Sequence, residues 1–118
     1  MCDPGDNIGI YINAYGGLKL GDNVNIGQNT IITTTNHNLY DHRKINDKKG
    51  VVIGNNVWIG ANCSIVAGVN IGSNVTIGAG CTIRQDIPSN SLVIQQSSAL
   101  LIKEKKDYEW NCHKEELL

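Results

Sequence analysis

An isoleucine recurs at every sixth position between Ile53 and Ile83. A period of six matches neither the 3.6-residue turn of an α-helix nor the two-residue alternation of a long strand. The fourth residue of each hexad is a type that tolerates a positive φ: Asn56, Asn62, Gly68, Asn74, Gly80 and Asp86. Each hexad therefore predicts a short strand followed by a bend, which is typical of a parallel β-helix.

The fifth residue of each hexad is small or β-branched, and we expect it to point inward beside the isoleucine. These residues are Val57, Cys63, Val69, Val75, Cys81 and Ile87. The same phase is present in the hexads that begin at Leu20 and Ile26 and is weaker at Ile8 and Ala14. If three hexads form one coil, Cys63 and Cys81 stack in neighbouring coils as buried, reduced thiols.

Composition agrees with a narrow solenoid, since the 118 residues include 13 glycines and no phenylalanine. The net charge of −1 and the scattered charges argue against a nucleic-acid partner. No apolar run approaches the roughly 20 residues of a membrane span, and no signal-peptide pattern opens the chain. We therefore expect a cytoplasmic protein, and the spacing of cysteine and histidine predicts no metal site.

The repeat is interrupted at Thr35, where a β-branched residue takes the position that favours a positive φ. It resumes at Ile53. The intervening polar residues 36–50 are predicted to leave the coil as a loop, and loops on rigid scaffolds commonly carry function. The chain then divides into a β-helix over residues 1–95, with this loop, and a return strand and helical tail over residues 96–118.

Residues 18–94 resemble the hexapeptide-repeat acetyltransferases, and most closely the maltose, galactoside and polysaccharide O-acetyltransferases. The resemblance rests on Asn36-His37-Asn38 and on the run VVIGNNVWIGANCSIVAGVNIGSNVTIGAGCTIRQDIPSN that follows the loop. It implies an all-β, left-handed parallel β-helix. It also implies acetyl-coenzyme A as the donor, a sugar as the acceptor, and a homotrimer with active sites between its subunits.

His37 matches the catalytic base of that family. A sugar hydroxyl is a poor nucleophile near neutral pH, and a neutral imidazole can take its proton as the oxygen attacks the thioester. By the same resemblance, Asn7, Tyr15 and Trp58 are substrate-binding residues. The residues expected to bind the coenzyme are Ala61, Ala79 and Arg84.

Three alternatives stay open at this point. An amino group on a nucleotide sugar could replace the hydroxyl as acceptor, since it would use the same base. A β-helical metal hydro-lyase could use His37 and His42, with His113 as the one remaining histidine for a third ligand. A non-catalytic assembly protein could be built from the same coils.

Overall fold

The computed structural model describes residues 7–96 and 103–104. Within this range, only the backbone of Asn46 and Asp47 is described. Within these residues every regular element is a β-strand. Most of the predicted tail, residues 96–118, lies outside the described residues. No helix in the described part is long and apolar enough to cross a membrane.

The described chain is a left-handed parallel β-helix with three walls, which confirms the predicted fold class. Wall A contains β1 (Tyr11–Asn13), β4 (Ile31–Thr33), β9 (Ser64–Ile65) and β12 (Thr82–Ile83). Wall B contains β2 (Leu18–Leu20), β7 (Val51–Ile53) and β10 (Asn70–Ile71). Wall C contains β3 (Val24–Ile26), β8 (Val57–Ile59), β11 (Val75–Ile77) and β13 (Ser91–Val93).

The hexad isoleucines form the interior of the coil, as the period of six predicts. In wall C, for example, Ile26, Ile59 and Ile77 are paired in register and are at most 1% exposed. The fifth-position residues are buried beside them. Each fully buried aliphatic side chain contributes about 1.5–3 kcal/mol, so the stacked columns supply the hydrophobic stabilisation of the fold.

Asparagine forms most of the corners. Asn23, Asn29, Asn56, Asn62 and Asn74 have φ between 56° and 62°, in the left-handed region. Asparagine tolerates this conformation better than other L-residues because its short polar side chain bonds locally. The corner amides also bond between coils, since Asn23 Nδ2 donates to Asn56 Oδ1 at 2.8 Å.

The sixth predicted corner, at Asp86, is wrong. Ile87 pairs with Ile71 and so takes, two residues early, the place that regular hexads would give to Ser89. This last coil is therefore two residues short, and Asp86 has no positive φ; its Oδ1 accepts a hydrogen bond from Asn70 N at 2.8 Å. The next hexad begins at Ile87, and its fourth residue, Asn90, has a positive φ of 63°.

The predicted phase of the first coil is also wrong. Ile12 pairs with Ile32, although the predicted phase gives that place to Ala14, and Ile8, which the phase places in the interior, is 83% exposed. The distance from Ile12 to Leu20 is two residues longer than a hexad, and the extra residues form a turn around Tyr15 and Gly16. A regular six-residue spacing could not have shown this insertion.

The excursion after Thr35 is more ordered than a loop. β5 (Thr35–His37) and β6 (Ile45–Lys48) pair antiparallel, so the segment is a β-hairpin with a polar turn over residues 38–44. The turn is held by Asn38, whose Oδ1 accepts from Tyr40 N and Asp41 N, and by the ion pair of Arg43 with Asp41 at 3.0 Å. The hairpin thereby presents His37 on a strand.

Cys63 and Cys81 are buried and unbonded to each other, as the sequence predicts. The Cys63 thiol donates to the carbonyl of Gly78 at 3.3 Å. Burial raises the pKa of the Cys63 thiol above its ordinary value. Both residues therefore act as small hydrophobic side chains of the interior.

Candidate active site

A groove of about 550 Å³ follows the corner between walls C and A through three successive coils. Its base is formed by one pair of residues per coil, each pair beginning with a glycine: Gly27 and Gln28, Gly60 and Ala61, Gly78 and Ala79. Its side on wall C is lined by Asn25, Trp58 and Thr76, and Asn7 closes one end. The groove is long, narrow and mostly apolar, which suits an extended chain with a few amide groups.

The base of the groove is backbone because the coils approach closely there. A Cβ at Gly60 would lie 2.6 Å from the nitrogen of Ala79, and a Cβ at Gly27 would collide with the nitrogen of Ala61. Only glycine allows this approach. Among the hydrogen bonds of the described residues, the N–H groups of Ala61 and Ala79 donate to no protein acceptor. They are available to a ligand.

Asn7 and Trp58 shape the open side of the groove. Trp58 is 60% exposed on the outer face of wall C, between Asn25 and Thr76 in the neighbouring coils. Asn7 Nδ2 donates to the carbonyl of Ile26 at 2.6 Å, which fixes the side chain against the coil. An aromatic face and a held amide therefore border the same groove.

His37 lies on β5, with its ring exposed to solvent. Its Nδ1 lies 2.7 Å from the carbonyl oxygen of His42, across the hairpin turn. A carbonyl oxygen only accepts, so a neutral His37 carries its proton on Nδ1. Nε2 is then the basic nitrogen, and the hairpin holds the ring in the tautomer that a general base requires.

Asn13 connects the first coil to the hairpin. Its Nδ2 donates to Thr35 Oγ1 at 3.1 Å, and its Oδ1 accepts from Tyr15 N at 3.1 Å. The next turn is fixed by Thr34, whose hydroxyl accepts from Gly16 N at 2.8 Å and donates to the carbonyl of Asn13 at 2.7 Å. These bonds set the position of Tyr15 relative to β5.

Tyr15 contacts the other strand of the hairpin. Lys48 Nζ lies 4.2 Å from the centre of the Tyr15 ring, within the range of a cation–π contact. Tyr15 is 63% exposed, and Lys48 is also exposed. The predicted acceptor residue Tyr15 is therefore placed beside the hairpin.

The predicted site residues fall into separate groups within one chain. Asn7, Trp58, Ala61 and Ala79 line the groove together. Wall A separates them from the hairpin, and its strand β4 alone spans about 10 Å. His37 and Tyr15 lie beyond that wall.

Arg84 lies outside the groove of its own chain. It lines a second cavity of about 260 Å³ at the end of the coil, together with Gln85, Ile87, Val93 and Gln95. The two cavities share no lining residue.

Asn13 and Lys48 contact Thr35 and the candidate residue Tyr15, and the sequence did not indicate these contacts. Asn13 lies in the first coil, where the phase of the repeat was misassigned. Lys48 is one of several lysines in a charged segment, and only the pairing of Lys48 with Thr35 places it opposite β5.

The described residues contain no group of three His, Cys, Asp or Glu side chains that could hold a metal ion. His37 and His42 meet through a ring nitrogen and a backbone carbonyl, and not through their two rings. His113, the third histidine of the hydro-lyase alternative, lies outside the described part of the chain.

Residues 50–85 match the family model described as bacterial transferase hexapeptide, six repeats. The fold is similar to that of a hexapeptide-repeat-containing acetyltransferase from Vibrio cholerae, complexed with acetyl-coenzyme A. That match has a TM-score of 0.66 and 32% identity and covers 74% of this chain and 51% of the other. It is also similar to a galactoside acetyltransferase in complex with coenzyme A, with a TM-score of 0.65, 37% identity and coverage of 70% and 43%.

A maltose O-acetyltransferase from Clostridium difficile matches with a TM-score of 0.54 and 28% identity, over 85% of this chain and 67% of that one. The chain spans about half the length of the first two structures. The resemblance inferred from the sequence is thus confirmed for both repeat and fold. Residues 50–85 are hexapeptide repeats of the bacterial transferase type, and 70–74% of the chain is similar in fold and sequence to hexapeptide-repeat acetyltransferases.

Proposed function

We propose that this protein transfers an acetyl group from acetyl-coenzyme A to a hydroxyl group of a sugar, with His37 as the general base. The observation that carries the proposal is the bond between His37 Nδ1 and the carbonyl of His42, which leaves Nε2 free to accept a proton. Two of the similar structures hold acetyl-coenzyme A or coenzyme A, which supports the choice of donor. A galactoside and a maltose acetyltransferase among them support a sugar acceptor.

The groove suits the pantetheine arm of the donor. The arm is a narrow chain with two amide groups, and the groove offers the unpaired N–H groups of Ala61 and Ala79 between apolar side chains. The aromatic face of Trp58 would pack along the arm. Arg84, from the end of the coil, remains the proposed partner of the nucleotide phosphates.

The reaction follows from the chemistry of these groups. His37 Nε2 takes the proton of the sugar hydroxyl as the hydroxyl oxygen forms a bond to the thioester carbonyl carbon. Backbone N–H groups of the coil stabilise the negative charge that develops on the carbonyl oxygen. The intermediate then breaks the carbon–sulfur bond, and the imidazolium returns the proton to the departing thiolate. The products are an acetyl ester and coenzyme A.

A second copy of the chain is part of the proposal. In one chain the groove and His37 lie on opposite sides of wall A, so one subunit does not bring donor and base together. A homotrimer that sets the hairpin of one subunit against the groove of the next would do so. The cytoplasm, where acetyl-coenzyme A is made and used, is the location that this donor favours.

Product analysis tests the proposal. The purified protein would be incubated with acetyl-coenzyme A carrying a labelled acetyl group and with a panel of sugars that bear hydroxyl or amino groups. We expect a labelled product whose acetyl group is released by mild alkali, as an ester is. An alkali-stable acetamide would identify the amine alternative, and no labelled sugar from any member of the panel would contradict acetyl transfer.

A further inference from the structure

We infer that the acceptor carries a negative charge and that Tyr15 and Lys48 select it. This inference rests on the proposed function and concerns the acceptor half of the same site. The acceptor class is a sugar with a carboxylate or a phosphate group near the hydroxyl that is acetylated.

The hairpin places Lys48 on the same face as His37. Thr35 and His37 are two residues apart on β5, so their side chains leave the strand on one side. Lys48 pairs directly with Thr35, and directly opposed residues project to the same side of a sheet. The register shift lies between Asn36 and His37 and places the extra residue on β6, so the Thr35–Lys48 pair and the continuous β5 strand from Thr35 to His37 still relate the two side chains. Lys48 is thus displaced from His37 by two residues along the hairpin, or about 7 Å.

An acceptor bound for catalysis covers that distance. Its reacting hydroxyl must lie within hydrogen-bond reach of His37 Nε2. A hexose with one ring substituent extends about as far as two residues of a strand, about 7 Å. Part of the acceptor would therefore reach Tyr15 and Lys48 if it follows the exposed face of the hairpin.

The chemistry at that point favours an anion. Lys48 has no carboxylate within salt-bridge distance among the side chains that the structure describes. The one carboxylate at the hairpin turn with a described side chain, that of Asp41, is already paired with Arg43. The ammonium of Lys48 instead lies over the Tyr15 ring, which holds the charge in place without neutralising it.

Tyr15 is itself fixed, so Lys48 is held against a positioned surface. Asn13 and Thr34 bond the turn that carries Tyr15, and a Cβ at Gly16 would collide with the carbonyl of Thr34. The exposed part of the Tyr15 ring can pack against the C–H face of a sugar. The pair therefore combines a flat apolar surface with a positive charge.

Competition between matched acceptors tests the inference. The value of kcat/KM would be measured with glucose, glucuronic acid and glucose 6-phosphate at low and at physiological ionic strength. We expect the wild type to favour one or both charged sugars by about fivefold or more, the worth of one contact between opposite charges at about 4 Å in water. The preference should shrink as salt is added. The two charged sugars distinguish a carboxylate from a phosphate.

Two variants and a control assign the preference. Lys48→Met and Tyr15→Leu should each lower the ratio of charged to neutral kcat/KM, and Tyr15→Phe should restore it because the ring is kept. Lys19→Met removes an exposed lysine on β2 and should leave the ratio and the rate with glucose unchanged. Circular dichroism and coenzyme binding check that each variant is folded.

An unchanged ratio in folded Lys48→Met, or a wild type that prefers glucose, would overturn the inference while leaving acetyl transfer intact. No transfer to either charged sugar by a wild-type protein that acetylates a neutral member of the sugar panel would also overturn the inference. No transfer to any sugar of the panel would instead contradict the proposed function itself.

Discussion

The corner at Asn56 allows a quantitative test of how the coil is held. Asn56 has φ of 57°, and its Oδ1 accepts from Asn23 Nδ2 of the preceding coil. Asn56→Val removes that bond and forces a β-branched residue into the left-handed region. Asn56→Gly also removes the bond but keeps the conformation available.

The expected losses differ between the two variants. The left-handed conformation costs an L-residue about 1–2 kcal/mol. The exposed hydrogen bond between the side-chain amides of Asn23 and Asn56 contributes about 0.5–1.5 kcal/mol. We therefore expect Asn56→Val to lose about 1.5–3.5 kcal/mol of unfolding free energy. Asn56→Gly should lose no more than about 1.5 kcal/mol.

Asn70→Val is the matched control. Asn70 is exposed on β10, in a strand where valine is favoured, and it has no positive φ. Its replacement should change the unfolding free energy by no more than about 0.5 kcal/mol.

Urea unfolding at one fixed protein concentration measures all three, because association with other copies adds to the apparent stability. Equal losses for Asn56→Val and Asn56→Gly would show that backbone conformation does not set the cost. A loss in Asn70→Val as large as that in Asn56→Val would remove the special role of the corner.

Three further predictions follow from single features of the structure. Because the positive φ of the last coil lies at Asn90 and not at Asp86, Asn90→Val should lower the unfolding free energy by about 1–2 kcal/mol and Asp86→Val by less. Urea unfolding measures both, and a larger loss in Asp86→Val would indicate that the corner lies at Asp86. Since burial raises the pKa of Cys63, few molecules expose a thiolate there, and iodoacetamide at about pH 8 should label Cys63 and Cys81 only after unfolding. Peptide mapping by mass spectrometry would locate the label, and labelling of Cys63 or Cys81 in the native protein would contradict their burial. Ala61→Leu fills the groove and should weaken coenzyme A binding at least about tenfold in calorimetry, whereas wild-type affinity would place the coenzyme elsewhere.

The coil could be predicted from the sequence because its signals are local. Each isoleucine column and each asparagine corner depends on residues within one hexad, so the positions of Ile59 and Asn62 in the coil can be predicted from their own hexads. Deviations from the period could not be located in this way. The insertion at Tyr15 and the two-residue shortening at Asp86 both leave plausible hexads in the wrong phase, and only pairing between coils reveals the shift.

The candidate site was accessible from the sequence only in part. His37 is marked by the break in the repeat and by the resemblance of its flanking residues. The carbonyl of His42 and the contact of Lys48 with Tyr15 depend on the register of a polar hairpin, which has no apolar alternation to fix it. Residues that act through register and backbone groups leave no signal in composition.

The most direct test of the account compares His37→Ala with His42→Ala in steady-state acetyl transfer, with acetyl-coenzyme A binding measured separately. His37→Ala removes the base and should lower kcat by about 10²- to 10⁴-fold while the coenzyme still binds. His42→Ala keeps the backbone carbonyl that orients His37, so its kcat should stay within about threefold of the wild type. Turnover by His37→Ala near the wild-type rate, or an equal loss in the two variants, would contradict a single histidine base at this position.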